Sequence, residues 1–569
     1  MGTRRFIGIT TLAASCVILA ACGGSEDGPE IRTTSYGVVQ GVDDSKVSGT
    51  YFWKGVPFAK PPVGALRWKA PVEPASWNGN LATKSFGNAC IQNGRLYGPG
   101  ANNTYDATIG TTLNTPVGSE DCLTLNVWRP ANDAKDLPVI LFLYGGSNIS
   151  GYTADPVYDG AKLAKTANAV VVTANYRVGV FGFFNLAQLK TGANANDDSG
   201  NFATLDNIQA LKFIQSNIGN FGGNKNNVTV MGQSAGAINV WALIASPLTN
   251  GLFHRAAPLS GGISLASNLP AGVLPTLNPA SDYAAQGNAL LYNLLIADGK
   301  AADLAGAQAY VATQTKAQIA DYMRAKDAKT ILTTILTKGP NSSGPIPDGT
   351  VLPVDPIAAM AAGNYRKVPI LASTTAEEGK LFQALFGLLP GFPPGFIISD
   401  AERFALMMNY KPDAAPTVTQ SSLLNAFYLP PEKPGTGYNA TAAFFTNNFF
   451  VPSRDNALNT LIKQQPNVWS YQFNWAQEPA PWNVVYGAAH AFDLPFIFGN
   501  FGPSLFSSVT NSAANAPGRL ALSDAMMSSI AAFAKNGDPN NAALGVNWAP
   551  WPKKLIFDAS LTQKQITLQ

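Results

Sequence analysis

Ser234 stands in Gly232-Gln233-Ser234-Ala235-Gly236, a G-x-S-x-G pentapeptide flanked by two different kinds of apolar run. Before it, Val228-Thr229-Val230-Met231 has the β-branched, uninterrupted apolarity of a buried strand. After it, AINVWALIAS has the apolar spacing of a packed helix. A sharp strand-to-helix corner pushes a serine Oγ clear of the backbone, and flanking glycines leave room for the tight approach. The N–H of Ala235 then falls at a helix N-terminus, where it can stabilise a developing oxyanion. The chemistry so predicted is attack by an activated hydroxyl, which needs a base and an acid from elsewhere in the chain.

Histidine is the side chain whose ordinary pKa suits that base, and the chain has two, His254 and His490. His254, in GLFHRAAPLSGG, sits where a helix gives way to the next strand and reads as a capping or packing residue. His490, in YGAAHAFDLPFIFG, comes late in the chain, which suits the order serine, acid, histidine of α/β-hydrolases. Between Ser234 and His490 a buried-looking strand, residues 368–372, runs into a loop carrying Glu377 and Glu378. A carboxylate just past the C-terminal end of a parallel strand is where such sheets place functional groups. Either glutamate could serve, since neighbours point in different directions, and both could equally be solvated loop charges.

Further apolar strands at 136–144 and 167–177, with helical periodicity over 205–218, argue for a mostly parallel sheet covered by helices. A long Ala- and Leu-rich stretch runs from 265 to 360, and late elements are a helix around 523–534 and a last strand near 554–558. No composition break or repeat divides residues 37–569, which read as one catalytic domain.

The serine stretch, SEDCLTLNV at 119–127 and GAAHAFDLPFIFG at 487–499 resemble the type-B carboxylesterase/cholinesterase family. KGVPFAKPPVGALRW, NYRVGVFGFF, GNFATLDNIQALKFIQSNI and FAKNGDPN extend the likeness over nearly the whole chain from Gly37. The resemblance implies an α/β-hydrolase fold, with helical insertions such as 265–360 walling an active-site gorge. It implies Ser234 as nucleophile, His490 as base and Glu378, the glutamate directly before glycine, as acid. It also implies oxyanion-hole amides at Gly146 and Ser147 beside that of Ala235. Ser147 stands where glycine is usual, and a small residue exposes its N–H there unless φ must be positive. Asp206 reads as a structural cap or a supporting acid.

Substrate follows from departures. Gln233 replaces the glutamate that many relatives carry before the serine, removing a negative charge beside the nucleophile. The apolar stretch 381–397 reads as plain core or as a pocket wall, with Leu381 and Phe382 nearest the chemistry. Tyr97 and Tyr105 lie between Cys90 and Cys122, but no tryptophan does, so the π-face that choline recognition relies on has no counterpart. Neutral alkyl or aryl esters fit better. A serine amidase or peptidase on the same fold, or a non-catalytic surface module, are the alternatives.

The first 22 residues read as an export signal: Arg4 and Arg5, an apolar stretch too short to span a bilayer, then Leu19-Ala20-Ala21-Cys22. That ending resembles a bacterial lipobox, which makes Cys22 a lipid-anchored N-terminus in the outer membrane, followed by a flexible tether over 23–36; a plain secretory signal is the alternative. With Cys16 removed and Cys22 lipidated, Cys90 and Cys122 remain as a pair, and the family carries a bridge at the rim of the gorge. No Cys/His set is then left for zinc, and the proposed chemistry needs no cofactor. Charged residues make up 13% of 569 and the net charge is +3, so no basic field points to nucleic acid.

Overall fold

The structure is a computed structural model that describes residues 1–2, 28–339 and 343–569. From residue 3 onward, the expected signal segment and Cys22 lie outside the described residues. Eleven strands form the main sheet, numbered here in chain order. They are β1 (Val42–Asp44), β2 (Thr50–Pro57), β3 (Thr124–Pro130), β4 (Leu137–Leu143), β5 (Val170–Ala174) and β6 (Gly223–Gln233). Then follow β7 (Arg255–Leu259), β8 (Ile370–Thr375), β9 (Val468–Phe473), β10 (Leu555–Ala559) and β11 (Lys564–Leu568). The spatial order is β11-β10-β9-β8-β7-β6-β4-β5-β3-β2-β1. From β5 through β10 neighbouring strands are parallel, and the outer pairs are antiparallel.

That arrangement follows from composition. Every residue of β5 and β8 is buried, as in a sheet with both faces covered, so these strands are continuous apolar or small runs and do not alternate. The covering helices are correspondingly apolar around much of their circumference. Helix Ala235–Ala245 buries all but Ile238, and helix Phe202–Asn217 exposes only a narrow edge. Helix Ala516–Asn536 packs across β4, β6, β10 and β11 and ends at Gly537 in the left-handed conformation that favours glycine.

The stretch 265–360 is helical, as expected. Helices Ala280–Ala297, Leu304–Thr313, Lys316–Ala325 and Ala328–Lys338 pack Leu290, Leu294, Met323 and Ile331 against Trp68, Phe181 and Phe184 in a second apolar cluster. Asp303, Thr315 and Asp327 cap the last three helices through their side chains, which accounts for their breaks.

Two expectations about the chain ends change. The described part of the tether is structured: Ile31–Thr34 pairs antiparallel with Gly37–Gln40, and Glu30 O accepts from Trp53 Nε1 at 2.7 Å. The last strand is not β10 but β11, which folds back on it with Leu568 opposite Leu555. The exposed, alternating KQITL is too polar to read as a core strand; pairing with β10 is what makes it one.

Candidate active site

The strand β6 ends at Gln233, and helix Ala235–Ala245 begins one residue after Ser234. Ser234 has φ 59° and ψ −123°, a conformation that serine adopts only under constraint. Its N–H donates to Leu259 O at 2.8 Å and its carbonyl accepts from Ile238 N–H at 3.0 Å, so strand and helix both hold the corner. The two glycines of the pentapeptide are there for space. A Cβ on Gly232 would lie 2.5 Å from Gly236 O, and one on Gly236 would lie 2.0 Å from Leu143 O. Ala235 is the first residue of its helix, so its N–H has no partner in the helical ladder.

Glu378 and His490 are joined directly. His490 Nδ1 lies 2.5 Å from Glu378 Oε2, and the other carboxylate oxygen accepts from Thr375 N–H at 2.7 Å. Glu378 is fully buried and His490 nearly so. The loop carrying the histidine is stitched to the glutamate loop: Glu377 N–H donates to Ala488 O at 3.0 Å, and Ala488 N–H returns to Glu377 Oε2 at 3.0 Å. Phe382 and Phe450 flank the imidazole, with ring centroids 5.1 Å and 4.7 Å from it. With Nδ1–H donated to the carboxylate, Nε2 presents its lone pair, and the Gln233 amide nitrogen lies 3.1 Å from it. Among the described residues no hydrogen bond joins Ser234 Oγ to His490; the two side chains line one cavity. Beside them, the fully buried Asp493 accepts from Tyr471 Oη at 2.9 Å. Burial, helped by the Glu378 charge, raises its carboxyl to about 6 against the opposing pull of that hydrogen bond and of His490.

The turn after β4 brings a third group. Gly146 has φ 113°, and Ser147 and Asn148 both have φ 56°. Gly146 must be glycine, since a Cβ there would lie 2.2 Å from Ser150 O. Ser147 adopts the positive φ that the sequence reading named as the difficulty at this position. Among the described residues, Gly146 N–H and Ser147 N–H donate to no protein acceptor, while Gly146 O accepts from Ile149 N–H and Ser150 N–H at 3.1 Å each. Tyr144 and Tyr176 anchor the root of the turn by exchanging hydroxyl-to-carbonyl bonds of 3.1 and 2.6 Å across stacked rings.

Two cavities meet at Ser234. The first, about 210 Å³, is lined by Gly146, Ser147, Gln233, His490, Leu381 and Phe382 among others. The second, about 240 Å³, lies toward Phe449, Phe450, Ser260 and Ala235, and shares Ser147, Ser234 and Phe382 with the first. The stretch 381–397 is neither all core nor all wall. Leu381 and Phe382 are wall, Phe386 is core, and Leu385, Leu388 and Ile397 are exposed. His254 is far from this end of the sheet: its Nδ1 accepts from Val228 N–H at 3.2 Å at the opposite end of β6's apolar run, and burial together with Arg255 lowers its pKa. Asp206 forms a buried two-pronged ion pair with Arg177, at 2.7 and 2.8 Å. Cys90 and Cys122 are disulfide-bonded. Among the described residues, no group of three or more His, Cys, Asp or Glu side chains could hold a metal ion.

A profile of the carboxylesterase family matches residues 28–566. The chain belongs to the carboxylesterase family. Its enzyme class is carboxylic ester hydrolase. It is 31% identical to the para-nitrobenzyl esterase of Bacillus subtilis (strain 168) over 94% of this chain and 96% of that one. It is also 31% identical to the fumonisin B1 esterase of Sphingopyxis macrogoltabida, over 95% and 87%. Among solved structures, a PNB esterase superposes with a TM-score of 0.69 at 28% identity over 95% of this chain and 97% of the other. A Geobacillus stearothermophilus carboxylesterase does so with 0.68 at 26%, over 95% and 98%.

In this carboxylesterase, motifs known only by likeness acquire physical reasons. Glu120 of SEDCLTLNV holds Arg67 of ALRW through two hydrogen bonds, 2.7 and 2.5 Å, which ties the disulfide loop to the chain before it. Sequence reasoning missed Phe449 and Phe450, and also Arg95, Asp400 and Arg403 in the first cavity. The aromatic run FFTNNFF at 444–450 was a visible signal for the former. The arginines carried none: Arg95 is in a loop and Arg403 in helix Asp400–Met408, and a charge in either reads as solvated until a cavity is closed around it.

Proposed function

We propose that the protein is a serine carboxylesterase acting through Ser234, His490 and Glu378 on neutral alkyl or aryl esters. The reading is carried by one observation: the buried Glu378–His490 pair opens on the same cavity as the strained Ser234. His490 takes the proton of Ser234 as its oxygen attacks the ester carbonyl, and Glu378 orients the imidazole and stabilises its cation. The Gln233 amide must give up Nε2 as the hydroxyl engages, a tightening typical of the passage from free enzyme to substrate complex. N–H groups of Gly146, Ser147 and Ala235 hold the oxyanion, each contributing about 3–4 kcal/mol to the transition state. The alcohol leaves with a proton from His490, and water activated by the same residue releases the acid. The second cavity, which no charged residue lines among the described residues, suits a neutral substituent.

Hydrolysis of 4-nitrophenyl butyrate tests the proposal. Ser234→Ala should abolish it together with labelling by a fluorophosphonate, and retention of both would refute the assignment. A matched butyryl anilide separates an esterase from an amidase. Export with lipid attachment at Cys22 belongs to the same proposal, supported by the charged start, the short apolar stretch and the LAAC ending. Metabolic labelling with a radiolabelled fatty acid, absent in Cys22→Ala, checks it.

A further inference from the structure

The aromatic run at 444–450 ends in the wall of the second cavity, where the backbone leaves the α-helical path. Helices Tyr438–Phe445 and Val451–Leu461 are joined without a break by a π-helical turn, Thr446–Phe450. Pro452 supplies the reason: it has no N–H, so no α-helical donor reaches the Asn448 carbonyl four residues back. Asn448 O accepts from Leu274 N–H at 2.8 Å instead, beside Pro275 and Thr276, which line the same cavity. On the other side, Thr446 Oγ1 accepts from Gly379 N–H at 3.0 Å, next to Glu378, and donates to Ala442 O at 3.1 Å. A Cβ on Gly379 would collide with Ala442 O, and one on Gly262 with Ser453, so the helix lies directly on the glutamate loop and on another segment of the wall. The turn is therefore gripped from both sides. Its rings are packed as well: Phe450 lies 4.7 Å from the His490 ring and 5.4 Å from that of Phe382, and Phe449 meets it edge to face at 4.8 Å. Phe450 is buried and Phe449 half-buried, so Phe449 is the ring that a substitution can change without opening the core.

In the reaction proposed above the alcohol leaves with a proton from His490, and that residue lines the first cavity, not the second. The acyl chain then lies in the second, whose volume of about 240 Å³ is below the roughly 300 Å³ at which pockets for drug-sized ligands begin. We propose that the π-helical turn is a specificity-determining element: Phe449 and Phe450 close the acyl end of the site and restrict it to short, neutral acyl chains. A longer chain meets rings fixed between Gly379 and Leu274 and drives its own carbonyl carbon away from Ser234, and a misplacement of about 1 Å costs on the order of 100-fold in rate. This rests on the ester chemistry proposed above and adds the size of the acid and the residues that set it.

The test uses two series of esters. The 4-nitrophenyl esters of acetate, butyrate, hexanoate and octanoate vary the acid, and methyl, butyl and octyl butyrate vary the alcohol. The parent should have a higher kcat/KM for 4-nitrophenyl butyrate than for the octanoate. Phe449→Ala should raise octanoate relative to butyrate by about 10- to 100-fold, the range that methylenes command in an apolar pocket. Phe449→Trp fills the same space and should move the optimum toward acetate. The order along the alcohol series should stay as it is in the parent. Two variants of opposite sign keep the test decisive if one of them unfolds. A parent that takes octanoate as readily as butyrate, an acyl profile unchanged by the substitutions, or a change confined to the alcohol series overturns the proposal while ester hydrolysis continues. Failure of the parent on every ester would instead overturn the esterase reading.

Discussion

Glu377 and Glu378 are adjacent in the chain and turn their carboxylates in opposite directions. Glu378 meets His490 Nδ1 at 2.5 Å inside the protein, while Glu377 meets Lys380 Nζ at 2.6 Å and the Ala488 amide at 3.0 Å, partly exposed. One acid orients the imidazole and the other fastens the loop that carries it. Glu378→Gln should therefore lower kcat for 4-nitrophenyl butyrate by about 10³–10⁴-fold with the fold intact, as loss of the orienting acid does in serine hydrolases. Glu377→Gln should keep kcat within about tenfold, because Gln retains an oxygen acceptor for the Ala488 amide, while stability falls as the buried Lys380 ammonium loses its partner. Steady-state kinetics of the two variants side by side decides this.

The positive φ of Ser147 makes a second prediction. Ser147→Gly should leave stability within about 1 kcal/mol, since relief of strain offsets the greater entropy lost on folding. Its kcat should be close to the parent's. Ser147→Val places a β-branched residue in the left-handed region and should cost about 1–3 kcal/mol and lower kcat as the turn shifts. Denaturant unfolding and ester hydrolysis measure the two effects.

The disulfide closes a loop that carries part of the first cavity's wall, including Arg95 and Tyr97, across a separation of 32 residues. Replacing both cysteines by serine should cost about 3–4 kcal/mol from the loop-closure entropy returned to the unfolded chain. KM should rise more than kcat falls, since Ser234, His490 and Glu378, the proposed catalytic groups, sit outside the loop. Thermal unfolding and KM for 4-nitrophenyl butyrate check both.

Asp493 gives a dependence on pH. Its carboxyl is raised to about 6 from an ordinary 3.8, so between those values the folded protein holds a proton that the unfolded chain has released. The stability from this group is complete below the unfolded value and is lost as the pH rises through about 6. Asp493→Asn cannot ionise and keeps an acceptor for Tyr471. Between pH 4 and 7 its unfolding free energy should decline less than the parent's by on the order of 3 kcal/mol. Urea denaturation at both pH values tests the sign as well as the size.

Much was legible in the amino-acid order because the relevant physics is local. VTVMGQSAG specifies a buried strand, a corner and a helix through neighbours alone, and the pentapeptide glycines mark where the backbone must approach closely. The same holds for the parallel core, whose strands are buried on both faces and so are apolar without alternation. His490 could be singled out because histidines are so few. The terminal KQITL and the described part of 23–36 were misread since neither has a buried face of its own; each becomes a strand only by pairing with a neighbour.

What tertiary structure alone decided depends on direction and enclosure. Adjacent glutamates have nearly the same sequence environment, so the residues alone leave either open; the resemblance picks Glu378 by its place before glycine, and the packing of the 488–490 loop is the physical reason that it faces His490. Likewise, Arg95, Tyr97 and Arg403 come from segments some 300 residues apart, and no local pattern says that they share a cavity. Hydrophobic periodicity places a side chain on the inner or outer face of its own element; the distance between two elements, and whether water lies between them, is set by how the whole chain packs.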